Sequence, residues 1–449
     1  MSERSAQFPD ASLPVLARPG GYALIPLFIF VALIPVEEAL SVSGVVTLSR
    51  GVAVVFALLY VVPRIGRLTL RAMPLAGWAF VEWAVLSSVW SINANVALAE
   101  LSTLIQLFAI AVLVADVIVH DPGLVRPLLW TYSISASFLA ALGFLAFLEG
   151  NRVADDRVVA LAGQDPAHFA ALLLPAFIFC TFELLRGRRP YLSLSVVLIS
   201  LAGILLSGTR GAWVSTVVAL ALFVFPGLDL RRKMGAVILL LVVFGAVLQI
   251  PGVGNLVVDR VATAGASGGA GRTDIWSVGV VIFETSPVIG VGYANFPVAY
   301  TPKMVVEAGV GLSYQGAYRA PHNLLVSIGA ELGLVGLGLF GLLLVPLVLR
   351  RGWGPDAQVI RAILAAFMVD ALFLDLFGNR KQVWLIIGIA AGLAFLARRA
   401  GSADEEADAA DGRAVAVAVR PSLDHRRPRQ PGGRPASSAP PGSMIRGDS

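Results

Sequence analysis

Twelve runs of apolar residues, most of them close to the length needed to cross the ~30 Å hydrocarbon core of a bilayer, leave this chain little choice of fold. They fall at about 22–36, 42–62, 74–90, 98–119, 126–148, 166–185, 191–206, 212–226, 234–250, 322–349, 357–374 and 381–398. With 57% of residues hydrophobic and 14% charged, the composition lies far from that of a soluble globular protein. The expected fold is all-α, a polytopic transmembrane bundle of about twelve helices. A large loop, residues 251–321, is expected between the ninth and tenth. The first 21 residues are polar and show no cleavable signal peptide, so the first run reads as its own insertion signal. From Gly401 the chain turns acidic at Asp404, Glu405, Glu406 and Asp408, then rich in Pro, Arg, Gly and Ser. Such a composition cannot bury a core, and residues 401–449 are expected to be a disordered tail.

Charge orients the bundle, because cytoplasmic loops carry the excess of Lys and Arg. With the N-terminus inside, the inner loops hold Arg64/Arg67/Arg71, Arg126, Arg186/Arg188/Arg189, Arg231/Arg232/Lys233 and Arg350/Arg351, and Arg398 and Arg399 close the last run. Both termini are then cytoplasmic. Alternate loops begin with Glu37 and Glu38 and are poor in basic residues. The formal charge of +5 is thus explained by topology rather than by nucleic acid. The one cysteine, Cys180, lies inside an apolar run and excludes an intrachain disulfide.

Arginines on the outer side oppose this pattern, and each asks for a reason: Arg152, Arg157, Arg210, Arg260, Arg272, Arg319 and Arg380. His168, His322 and Asp165 fall at the same level. Loops on one face of a bundle can converge on a single cleft. The chemistry that fits a cationic cleft at the outer membrane boundary is a lipid-linked phosphate or diphosphate. Arginine suits it, because its planar fork donates to two phosphate oxygens and never loses its charge.

Each candidate has a plainer reading. Arg210 sits in the turn Ser207-Gly208-Thr209-Arg210-Gly211 between two apolar runs, where it could only snorkel to headgroups. Arg272 opens a helical pattern whose apolar face is Ile275, Trp276, Val278, Gly279, Ile282 and Phe283, capped by Thr273 or Asp274. That reads as an amphipathic helix on the membrane surface, with Arg272 reaching phosphates or pairing with Asp274. His322 follows Pro321 and opens a long apolar run. Its imidazole can take a proton from a hydroxyl or bond a phosphate, or it can serve with Asn323 as a cap. Glu331 lies nine residues further on, ~13 Å deeper, and reads as a bundle partner for a polar group. The glycines at 329, 333, 336, 338 and 341 read as packing positions. A P-loop, a zinc-binding spacing, a nucleophile turn and an Asp-x-Asp pair are all absent from the sequence. Adjacent Asp155 and Asp156 read as solvated. The chemistry expected is electrostatic, with no metal and no cofactor.

Taken together, SerGlyThrArgGlyAlaTrp, ArgThrAspIleTrp with ProValIleGlyValGlyTyrAlaAsnPhe, and ProHisAsnLeuLeu with GluLeuGlyLeuValGly resemble the O-antigen ligase/O-antigen polymerase superfamily. SerValTrpSerIleAsn (88–93) and GlyGlnAspProAlaHisPheAla (163–170) also fit its pattern, and the likeness covers roughly residues 20–400. It implies a GT-C-like membrane glycosyltransferase in the bacterial inner membrane, with the large loop and active site extracytoplasmic. Such an enzyme moves a glycan from an undecaprenyl-diphosphate carrier to a glycan or lipid acceptor, without metal. By motif position, Arg210 and Arg272 would hold the diphosphate, His322 would contact it or deprotonate the acceptor, and Arg319 would help. Ala167 stands where the family often has Asn. A ligase, a polymerase and a protein-glycosylating relative would share this site. The competing class, a transporter of lipid-linked sugars, would favour two related halves and a polar site between broken helices.

Overall fold

In a computed structural model the described residues are 21–40, 47–153, 157–161, 164–224, 229–262, 272–311, 319–349, 354–374 and 380–418. Among them the protein is all-helical. The helices are α1 Gly21–Leu40, α2 Leu48–Val61, α3 Leu75–Leu86, α4 Ala94–His120, α5 Val125–Leu148, α6 Pro166–Leu185, α7 Pro190–Leu206, α8 Arg210–Ala219, α9 Leu230–Leu248, α10 Val253–Ala262, α11 Arg272–Thr285, α12 Phe296–Ala299, α13 Pro302–Glu307, α14 Leu324–Leu349, α15 Gly354–Asp370 and α16 Lys381–Ala418. Residues 1–399 form one compact unit and residues 400–449 a second. Asp155, Asp156, Arg350, Arg351 and the two chain ends, 1–20 and 419–449, lie outside the described residues.

Each of the twelve apolar runs falls on a helix, but twelve spans are not established. Among the described residues, five helices are long and apolar enough to cross a membrane: Ala94–His120, Pro122–Leu148, Pro166–Leu185, Leu324–Leu349 and Lys381–Ser402. Lys233–Leu248 with Val253–Ala262 would make a sixth, bent by 105°. Gly21–Glu37, Leu75–Val89, Pro190–Leu206 and Arg210–Leu222 are apolar but shorter. At 1.5 Å per residue a 17-residue helix reaches only ~26 Å.

Three expectations change. Segment 251–321 is no plain loop: α10 to α13 lie in it, and Ile275, Val278, Ile282, Phe296, Tyr300 and Val305 make a small core with Ala330 of α14. The apolar face of α11 is therefore packed inside the protein rather than laid on lipid. The expected tail begins as helix, since α16 continues to Ala418; its alanines at 403, 407, 409 and 410 favour helix strongly. Gly333, expected to be a packing position, instead breaks α14, with φ 66° and ψ −165°.

The break explains why several motifs cohere. A broken helix strands carbonyls before the gap and N–H groups after it, which hydrocarbon cannot satisfy. Here Ser286–Phe296 and the α3 side of the bundle satisfy them. Val291 N–H donates to Ala330 O (2.9 Å), Gly292 N–H to Glu331 O (2.9 Å) and Trp83 Nε1–H to Leu332 O (3.0 Å). Beyond the gap, Leu334 N–H donates to Pro287 O (2.9 Å) and Val335 N–H to Val288 O (3.3 Å). The backbones approach so closely that a Cβ at Gly290 would overlap the Glu331 carbonyl, and one at Gly333 the Val288 carbonyl. Both glycines also have positive φ, a region that costs other residues ~1–2 kcal/mol. The 88–93 motif closes the knot: Ile92 N–H donates to Val291 O (3.2 Å) and Asn93 N–H to Asn295 Oδ1 (2.7 Å).

A cationic cavity where helices begin

A cavity of about 1090 Å³ is lined by Arg152, Arg157, Arg210, Arg260, Arg272, Arg319 and His322, with Asp165 and Asp259 as its carboxylates. Six of the seven arginines that oppose the orienting pattern thus share one space. Arg380 is not part of this lining. It lies just before α16, within electrostatic range of His168, which also feels Asp165 and His322.

Helix starts position these groups. Arg210 is the first residue of α8 and Arg272 the first of α11. Asp165 is the N-cap of α6, its carboxylate accepting from Ala167 N–H (2.7 Å) and His168 N–H (3.4 Å). His322 stands two residues before α14. Helix N-termini carry partial positive charge, so four of them at one cavity add to the guanidinium groups in attracting an anion. At α6 the cap closes its own helix end. At α8 the N-cap Thr209 makes no side-chain cap hydrogen bond.

The turn before α8 is tightly built. Ser207 is buried and donates to Ile204 O (2.7 Å), and Thr209 N–H donates to Ser207 Oγ (3.2 Å). Trp213 Nε1–H donates to Ile204 O (3.1 Å), clamping α8 to α7. A side chain at Gly208 would meet those of Arg157 and Arg260, and one at Gly211 would meet Phe373. The cations therefore crowd directly over this turn.

Arg272 is held below its ordinary pKa, first by burial. Asp165 opposes the shift; Arg157 promotes it; Asp370 opposes; Arg210 promotes. The charges acting on Arg272 are those around the cavity, so the plain reading of an Asp274 pair loses its ground. Thr273 and Asp274 lie inside the first turn of α11, not ahead of it. Trp276 Nε1–H donates to Pro321 O (3.0 Å), tying α11 to the segment that carries His322.

His322 is not the cap of α14. Asn323 has that role, its Oδ1 accepting from Leu325 N–H (2.9 Å) and Val326 N–H (3.2 Å) and its Nδ2 donating to Leu372 O (3.1 Å). His322 itself adopts φ 48°, a left-handed conformation uncommon for residues other than glycine. Arg152, by contrast, has a structural contact: its guanidinium lies 4.2 Å from the Phe147 ring centroid and donates to Phe147 O (3.3 Å).

Three contributors escape sequence reasoning. Asp370, at the end of α15, is 1% exposed, and neither carboxylate oxygen has a hydrogen-bond partner among the described residues. Its charge acts on Arg272. A lone carboxylate in an apolar run was the available signal. Asn255 and Asp259, on one face of α10, were hidden in the segment expected to be loop.

The opposite end of the bundle is different. Arg126 bonds Asp356 (2.8 Å) and Glu183 (3.2 Å), joining the starts of α5 and α15 to the end of α6. Since α6 has 20 residues, ~30 Å at the usual rise, this ion-pair cluster and the cavity lie about one hydrocarbon thickness apart.

No curated protein matches the chain. Residues 195–341 match the family model described as O-antigen ligase, a stretch that begins in α7 and ends in α14 and so includes Arg210, Arg272, Arg319 and His322. Members of that family are glycan-processing membrane enzymes. Over residues 195–341 the chain is therefore similar to the O-antigen ligase family, a match that supports membership of that superfamily.

Proposed function

We propose that the protein transfers a glycan from an undecaprenyl-diphosphate carrier to an acceptor hydroxyl at the extracytoplasmic face of the bacterial inner membrane. One observation carries this reading: a single cavity lined by six arginines and His322, with helix N-termini at its edge. In the reaction the acceptor oxygen attacks the anomeric carbon and the bond from that carbon to the phosphate oxygen breaks. The carrier diphosphate leaves with the electron pair. Its growing charge is offset by Arg210 and Arg272, and fixed donors of this kind contribute ~2.7–4 kcal/mol each. His322 accepts the hydroxyl proton or bonds the leaving phosphate, with Arg319 supporting it. The twelve-helix, GT-C-like topology with cytoplasmic termini belongs to the same proposal; the ~30 Å between the Arg126 cluster and the cavity supports it.

Two breaks favour transport instead: that in α14, and the 105° bend between Lys233–Leu248 and Val253–Ala262, whose second helix lines the cavity at Asn255, Asp259 and Arg260. The gap of α14, however, is filled by Trp83 and residues 287–292, and no described residue between Asn323 and Leu349 lines the cavity. A transported headgroup needs a break that faces water. The deciding experiment gives purified protein undecaprenyl-diphosphate glycan and candidate acceptors, with and without EDTA. A new glycoconjugate supports transfer; movement across vesicles with no new bond overturns it.

A further inference from the structure

The wall of the cavity that carries Arg272 and the wall that carries His322 are joined in a closed circuit. At the cavity end, Trp276 of α11 donates to the Pro321 carbonyl, one residue before His322. At the far end, Ser286–Phe296 continues from α11 and returns to α14. There Glu331 is the fastening: its Oε2 accepts from Ala294 N–H (2.9 Å) and its Oε1 from Phe296 N–H (3.1 Å). The carboxylate is only 7% exposed. Its hydrogen bonds are charge-assisted, and they hold Ala294 at φ 58°, a conformation that costs an alanine energy. Phe296, held by the same carboxylate, is fully buried against the α11 core.

We propose that Glu331 is a positioning residue for glycan transfer: by holding Ala294 and Phe296 it sets the placement of Arg272 relative to His322. This rests on the transfer reading above. Glu331 is not part of the cavity lining, so it acts through the loop and the two helices. In an acidic-residue role of this kind, loss of one acceptor oxygen loosens the circuit without removing any group that meets substrate. A displacement of about 1 Å at the reacting groups is enough to cost ~100-fold in rate.

The test uses the full chain in lipid nanodiscs, comparing Glu331→Gln and Glu331→Ala with the parent. Turnover and the KM for undecaprenyl-diphosphate glycan are measured per folded molecule. Separately, spin labels at Ser277→Cys and Leu325→Cys, both exposed positions, in a Cys180→Ala background report the α11–α14 distance. The proposal expects kcat to fall roughly 100-fold in Glu331→Ala and less in Glu331→Gln, KM to stay within a few-fold, and the distance distribution to shift or broaden. Unchanged kcat, or a fall in kcat with an unchanged distance distribution, overturns it. Should Glu331→Ala not accumulate, Glu331→Gln, of the same shape, decides the question. If the parent protein transfers no glycan, the transfer reading fails, while the spin-label distances still decide whether Glu331 sets the two helices.

Discussion

Replacing Arg272 by alanine separates what this side chain does for the fold from what it does for chemistry. Arg272 is half-buried among Arg157, Arg210, Asp165 and Asp370. On the proposed transfer mechanism, its removal deletes one preorganised donor to the leaving group, worth ~2.7–4 kcal/mol, or about 10²–10³ in kcat. The interaction grows as charge develops, so KM for the carrier should change by only a few-fold. The same substitution removes a cation that acts on Asp370, which is buried and has no hydrogen-bond partner among the described residues, so stability should fall. Arg272→Ala should thus melt earlier in detergent, and adding Asp370→Asn should return much of that stability while leaving transfer low. The assay is gel-resolved glycan transfer by the purified protein, alongside thermal unfolding. Wild-type kcat in Arg272→Ala, or recovery of transfer in the double variant, would refute the reasoning.

Other outcomes follow from the same geometry. Arg210→Lys keeps the charge but loses the planar fork, so its kcat should fall about 10-fold, against at least 100-fold for Arg210→Ala, in the same transfer assay. His322→Gly should unfold at a higher temperature than His322→Ala, because glycine relieves the φ 48° conformation by ~1 kcal/mol, yet both should be inactive. Gly333→Ala and Gly290→Ala should yield little folded protein, since each Cβ overlaps a backbone carbonyl across the α14 gap. Gly338→Ala and Gly341→Ala, where nothing lies within 4 Å, should be neutral by size-exclusion profile and melting.

What could be read from the sequence depended on whether the signal was global or local. The unusual arginines were legible because positive-inside asymmetry is a property of the whole chain, and six of them share one cavity. Arg380 met the same criterion and is not part of that lining, since a residue's level along the bundle does not fix its place across it. Glu331 was legible in kind, as a buried partner for polar groups, but its partners at Ala294 and Phe296 come from pairing 35 and more residues away. Gly333 was misread because a glycine in an apolar helix looks the same whether it packs or breaks the helix. The break shows only once residues 287–292 lie beside it. The start of α16's extension past Gly401 was masked by acidic composition, although its alanines favour helix. Asp370 was passed over because the run around it satisfied the length expected of a span.

The central claim is that these cations hold a carrier diphosphate. It is tested most directly by an experimental structure of the protein in a lipid nanodisc with undecaprenyl diphosphate. The account predicts phosphate oxygens within hydrogen-bonding distance of the guanidinium groups of Arg210 and Arg272, with His322 facing the same phosphates. Phosphates seated elsewhere, with this cavity holding only solvent, would contradict it.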